Sequence, residues 1–165
     1  AEFETTNNKF HSINSNVGGV TQNANLTRYY QFGSDGSNLT TEADAQVELN
    51  IAATLSNLYI YVSANSVTAA STFDLREGAV STAVTISITA STTGVFEDVT
   101  NTNTSVATDL VNFRLLTGAT GTSLTWRVMG CMLENTETGV ETITLDKWHP
   151  RPNQPYLEPC QIVEY

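Results

Sequence analysis

This chain is poor in positive charge. Of its 165 residues, 7 are Lys or Arg and 17 are Asp or Glu, a net charge of −10, and the basic residues are scattered singly from Lys9 to Arg151. Nucleic-acid binding needs a patch of cations to neutralise phosphates, so that class is excluded. An anionic membrane surface is excluded for the same reason. No apolar run approaches the ~20 residues that span a bilayer. The opening Ala1-Glu2-Phe3-Glu4 does not read as a signal peptide: either none exists or it was removed before Ala1. Cysteine is almost missing. Cys131 and Cys160 make neither a disulfide framework nor a C-x-x-C zinc pair. They are two free thiols or one bridge between the C-terminal segment and the body. The two histidines, His11 and His149, have no cysteine or carboxylate at ligand spacing and no triad pattern around them. No G-x-S-x-G, H-E-x-x-H or P-loop occurs. The sequence therefore offers no catalytic residue, no metal ligand set and no cofactor.

Hydroxyl and amide side chains fill the space that charge leaves. Thr, Asn and Ser supply 54 residues, while charged residues are 15% of the chain against roughly 25% in an average domain. Such a surface stays soluble without many charges and suits work outside a cell or on a particle. The length suits one domain with a real hydrophobic core. Composition divides it into three zones. Residues 1–27 are Asn-rich and lack sustained periodicity, which predicts an irregular N-terminal arm. Residues 28–146 carry the periodic segments. Residues 147–165, "KWHPRPNQPYLEPCQIVEY", hold all four prolines.

The middle zone alternates with period two. Val47, Leu49 and Ile51 share a face, as do Leu58, Ile60 and Val62, Phe73 and Leu75, and Val84, Ile86 and Ile88. Further on, Val111, Phe113 and Leu115 align, then Leu124, Trp126 and Val128, then Ile143 and Leu145. With "TRYYQF" and "GVFED" this gives about nine candidate strands. Tyr59 and Tyr61 occupy the second face of their strand, which predicts cover on both sides. Turn signals separate the strands, among them Gly33 to Gly36, Glu77-Gly78, Thr93-Gly94 and Gly118 to Gly121. Only "TTEADAQ" has helical composition, and it is too short to stand alone. Many short strands without interleaved helices predict an all-β fold. The expected architecture is an antiparallel, jelly-roll-like β-sandwich of eight to nine strands with extended terminal arms.

Few residues carry candidate chemistry. Glu97-Asp98 is the one adjacent acidic pair considered for glycosidase work, but neighbours on a strand point to opposite faces. "GSDGSN" lacks the full calcium-loop pattern and reads as a turn. Asn25-Leu26-Thr27, Asn38-Leu39-Thr40 and Asn103-Thr104-Ser105 fit the glycosylation sequon, which chance supplies often in such a composition. Arg76-Glu77 is expected to flank a solvated hairpin end. Among aromatics, Tyr29 and Tyr30 are candidate glycan contacts, while Tyr59, Tyr61 and Trp126 read as core or sheet packing. The prolines of residues 147–165 favour an extended, partly pre-ordered segment there. Its anchors Trp148, Pro150, Pro152, Tyr156 and Leu157 are the candidate partner interface.

From Glu42 to about Val128 the pattern resembles a jelly-roll family of tailed-phage virion proteins. "TEADAQVELNIAATLSNLYIYVSAN", "STFDLREGAVSTAVTISITASTTGVFEDVTNT" and "SVATDLVNFRLLTGATGTSLTWRV" carry the resemblance. Arg76 and Gly78 match the family's hairpin signal, while Thr108-Asp109 stands where a Gly-Asp pair is usual. The resemblance implies a non-enzymatic structural protein on the surface of a virion. A capsid decoration (cement) protein is expected first, with head-fibre or tail-fibre modules beside it. Its partners would be the major capsid protein or other virion subunits, as a homo-oligomer, with a trimer favoured. The alternative is an extracellular carbohydrate-binding or receptor-binding module.

Overall fold

The computed structural model describes residues 9–34 and 38–136, with 9–18 as backbone alone. These residues form nine strands and one 3-10 turn, Glu42–Asp44. The strands are β1 (Lys9–Asn23), β2 (Thr27–Tyr30), β3 (Val47–Glu48), β4 (Ala53–Val67), β5 (Ser71–Glu77), β6 (Val80–Ile88), β7 (Gly94–Ser105), β8 (Leu110–Leu116) and β9 (Gly121–Asn135). One sheet has the order β1-β9-β4-β7, the other β2-β8-β5-β6, with β3 also paired to β8. Every pairing is antiparallel, and the partners nest: β5 with β6, β4 with β7, β2 with β8, β1 with β9. A ribbon nested in this way and divided between two packed sheets has the strand order of a jelly roll. The all-β sandwich expected from the alternation is the fold observed.

Alternation does the sorting. Phe73 and Leu75 of β5, Val84, Ile86 and Ile88 of β6, and Val111, Phe113 and Leu115 of β8 point inward from one sheet. Leu58, Ile60 and Val62 of β4 and Leu124 and Trp126 of β9 meet them from the other. Each fully buried side chain of this size contributes about 1.5–3 kcal/mol. The phenyl rings of Phe73 and Phe113 sit 5.5 Å apart, and Phe32 covers Phe113 at 4.5 Å.

Two expectations change, and a third falls outside the described residues. Residues 9–23 are not an irregular arm but β1, in register with β9 from Lys9–Glu134 to Asn23–Ser123. Phe10, Ile13, Val17 and Val20 recur at intervals of three and four. The strand carries extra residues between Ser15 and Val20, where its register jumps, and that hides the period. "AQVELNIA" yields only the two residues of β3, while β4 runs far beyond "NLYIYVS" because Asn57, at φ 50, absorbs an irregularity in mid-strand. The strand expected around Ile143, and the whole C-terminal zone with Trp148, Pro150, Pro152, Tyr156 and Leu157, lie outside the described residues.

Turns decide where strands stop. The β5–β6 hairpin turns on Gly78 (φ 55) and Ala79 (φ 63), both in the left-handed region that two-residue hairpin loops require. Ala79 carries a Cβ there, and Arg76 Nη2 donates to its carbonyl at 2.6 Å, which holds the turn. Thr108 also has positive φ, 80, although a β-branched residue resists it. Its backbone is fixed by N–H donation to Leu49 O at 2.7 Å.

Replacing Thr108 by Gly is expected to raise stability by about 1 kcal/mol, through relief of left-handed strain. Gly121→Ala is expected to cost at least about 2 kcal/mol, because a Cβ there lies 2.3 Å from Ser66 O with φ at +99. Urea unfolding midpoints of the two variants check both signs.

Candidate functional site

The two tyrosines of β2 separate by face. Tyr30 points inward and is 0% exposed. Its ring meets Trp126 edge-on at 5.1 Å and 85°. Its hydroxyl donates to Gln22 Oε1 at 3.1 Å and accepts from Trp126 Nε1 at 3.4 Å. Burial pushes its pKa up to about 12. It therefore offers no ring face to a sugar, which corrects the glycan role expected for it. Tyr29 points outward, opposite Arg114 in register, and its backbone bridges to Leu39. It borders a set of ion pairs rather than an open aromatic surface.

Those ion pairs lie on the outer face of the β2-β8-β5-β6 sheet. Arg114 holds Asp74 with two bonds, Nε to Oδ1 at 3.0 Å and Nη2 to Oδ2 at 2.6 Å. Arg76 holds Glu42 of the 3-10 turn the same way, at 2.8 and 3.0 Å. Ser81 joins the pairs: its hydroxyl donates to Asp74 Oδ2 at 2.6 Å and accepts from Arg76 and Arg114 at 2.8 and 3.1 Å. The Arg76 guanidinium, with Asn112 helping, holds the Glu42 carboxyl below its usual value. Glu42 in turn raises Arg76. Arg76 is 8% exposed, so it is not the solvated hairpin flank its sequence position implied. Its forked cation is satisfied by Glu42, Ser81 and the turn carbonyl. Glu77 is engaged as well, accepting from Asn103 Nδ2 at 2.6 Å and from the Ser105 hydroxyl. Asn103, part of one sequon and half-buried, is thus committed to Glu77 and Ser105.

The acidic pair behaves as strand geometry requires. Asp98 turns inward and is 8% exposed. It accepts from the backbone N–H of Thr85, Thr100 and Asn101 at 3.0 to 3.1 Å and from the Asn101 amide. Burial acts to raise its pKa, but these donors outweigh it and hold the carboxyl below its usual value. Glu97 faces the opposite way, on the outside of the other sheet.

That outer face of the β1-β9-β4-β7 sheet was not singled out by sequence reasoning. Tyr59 and Tyr61 were expected to be covered on both sides, yet Tyr61 is 36% exposed. Beside them Val95 and Val99 of β7 are also exposed, at 54% and 69%. Tyr59 is paired in register with Glu97 on one side and Gly130 on the other, and Tyr61 with Val95 and Val128. A depression of about 350 Å³ opens here. Asn57, Tyr59, Glu97, Val99, Val128 and Gly130 line it. The signal in the sequence was the alternation of Tyr59 and Tyr61 against Leu58, Ile60 and Val62. Cys131, beneath the depression, is a buried free thiol pushed up to about 12 by its burial.

No protein-family model, curated protein or solved structure matches this chain.

Glu42 and Asp98 both have folded pKa values below their unfolded ones, which lie near 4. Their stabilisation is fully present above about pH 5 and is lost as pH falls through the folded values. Urea midpoints are expected to be flat from about pH 5 to 7 and to drop below about pH 4. Arg76→Ala is expected to cost about 2 kcal/mol at neutral pH, because it leaves Glu42 largely buried without its cation. It should also flatten the acid drop, since Glu42 then loses its reason to stay ionised.

Proposed function

We propose that this chain is a non-enzymatic structural subunit of a virus particle, a decoration protein on the outer surface of a phage head. The observation that carries this reading is the jelly-roll body together with the character of one of its ends. β1 begins and β9 ends side by side there, Lys9 opposite Glu134. Three exposed apolar side chains gather at the same end: Val80 after the hairpin turn, Val106 in the loop after β7, and Leu110 at the start of β8. Glu77 pairs with Val80 and with Val111, and Gly78 N–H donates to Leu110 O, which draws these segments together. An apolar rim on an otherwise hydroxyl-rich surface fits a neighbouring subunit.

The mechanism is binding alone. Apolar anchors are buried against a neighbour, and many copies on a lattice add avidity. Trp148, Pro150, Pro152, Tyr156 and Leu157 supply the anchors in this reading, and proline lowers the entropy lost on docking. The acidic surface suits the outside of the particle, away from packaged nucleic acid. Major capsid protein or other virion subunits are the partners, and the chain itself is read as a trimer.

Solution mass by light scattering tests the reading, on the whole chain and on a Trp148→Ala, Tyr156→Ala double variant. A trimer that loosens in the variant is the expected result. A monomer in both, with no change on adding Val80→Asp, counts against subunit contacts of this kind.

A further inference from the structure

The depression on the outer face of the four-stranded sheet gathers an aromatic ring and polar groups around a hollow. The charged groups and the Gln22 amide described above are, by contrast, engaged with one another or with the backbone. Asp74, Arg76, Arg114 and Glu42 hold one another, Asp98 is saturated by N–H donors, and Gln22 binds Tyr30 and two backbone carbonyls. Asn57, Tyr59 and Glu97 lie at the depression, where the polar groups remain available for a ligand among the described residues. Its base is apolar, from Leu58 and Val128, and Gly130 contributes no side chain to fill it. We propose that this depression is a binding subsite for a neutral carbohydrate, with Tyr59 as the stacking surface and Glu97 and Asn57 as hydroxyl partners. The inference stands apart from the structural reading above and does not need it.

The chemistry of a pyranose ring matches this arrangement. One face of the ring is made of C–H groups, which pack on an aromatic surface. Its rim carries hydroxyls, each a donor and an acceptor. The two carboxyl oxygens of Glu97 can accept from hydroxyls, and the Asn57 amide both donates and accepts. Tyr59 and Glu97 are directly paired across β4 and β7, so their Cβ atoms lie about 5 Å apart and both groups reach one ring. Tyr61, two residues along the same face, extends the aromatic surface toward a second ring. A volume of about 350 Å³ sits at the small end of ligand sites, which run from about 300 Å³. That suits a mono- or disaccharide.

Charge selects within the sugars. The chain carries −10, and Glu97 stands at the site itself. Sialic acids, uronic acids and sulfated sugars would meet like charge without a compensating cation among the lining residues. Charge also argues against a second copy of this chain here, since two copies that each carry −10 repel one another.

Saturation-transfer NMR on the whole chain with cellobiose, lactose and chitobiose at millimolar concentration tests the proposal. Saturation transfer from the protein to at least one of the three is expected. Tyr59→Ala is expected to weaken that binding at least about tenfold, while Tyr59→Phe retains it. Glu97→Gln, a surface change that leaves the fold intact, is expected to weaken it several-fold, and Tyr29→Ala is expected to leave it unchanged. An unaltered thermal midpoint in Glu97→Gln separates loss of binding from loss of fold. No transfer to any of the three sugars overturns the proposal. So does binding that survives both Tyr59→Ala and Glu97→Gln, or that is abolished only by Tyr29→Ala.

Discussion

The Gln22 side chain is the contact on which the closure of the sandwich depends. It sits in β1, in one sheet, and its amide donates across to Leu115 O of β8, in the other, at 3.0 Å. The same nitrogen donates to Leu26 O in the β1–β2 loop at 2.8 Å, while its oxygen accepts from Tyr30. Through Tyr30 the line continues to Trp126 of β9. Both donor positions and the oxygen of this buried amide are engaged, and leaving such a group unpaired costs about 1–3 kcal/mol. Filling them from both sheets turns that cost into a requirement: β1, β2, β8 and β9 must arrive together. Apolar packing alone allows the sheets to slide, and this line fixes their offset. Asp98 does the same at the opposite edge, where β7 accepts from the backbone of β6 through Thr85.

The two outer faces are finished in different ways. Over β5 and β8 the chain lays a 3-10 turn whose Glu42 is clamped by Arg76, so that face is covered and internally neutralised. Over β4 and β9 no such segment is laid among the described residues, and tyrosine and valine side chains remain open. Both faces are built on the same alternation, Asp74 and Arg76 against Phe73 and Leu75 in one case, Tyr59 and Tyr61 against Leu58 and Ile60 in the other. The difference comes from what the connection between β2 and β4 covers.

Much of the fold was legible because period two is a local property. The alternations of β5, β6 and β8 in the sequence are the inward and outward faces of the structure, while that of β9 holds for Leu124 and Trp126 and then shifts at an irregularity, so that Val128, expected on the same face, turns outward and Met129 inward. What was hidden is non-local. β1 has no readable period because its extra residues between Ser15 and Val20 break it, and its identity as a strand rests on β9, more than a hundred residues away. Arg76 looked like a solvated hairpin residue because its partner Glu42 lies 34 positions earlier. Tyr30 looked like Tyr29 until the parity of β2 assigned one ring to the core and the other to the surface. Of the candidate site, Tyr59 and Tyr61 were visible as a pair, but their exposure depends on which segments pass over them, and no local pattern encodes that.

The nesting of the strands has a consequence for how the chain is made. Among the described residues β5 and β6 alone are both paired and joined by a two-residue turn, so theirs is the pairing available early. Each later pairing reaches further back: β7 to β4, β8 to β2, β9 to β1. Loop closure grows costlier with each step, and long-range pairing of this kind is slow. During synthesis β1 leaves the ribosome first and receives its partner last, because residues up to Asn135 must emerge before the first sheet has its full width. Until then β4 has β7 but lacks its other neighbour, and its unpaired edge is open to any other strand. The large apolar residues along Lys9–Asn23 are few and stand apart, with serine and asparagine between them, which limits the adhesiveness of the strand that waits longest.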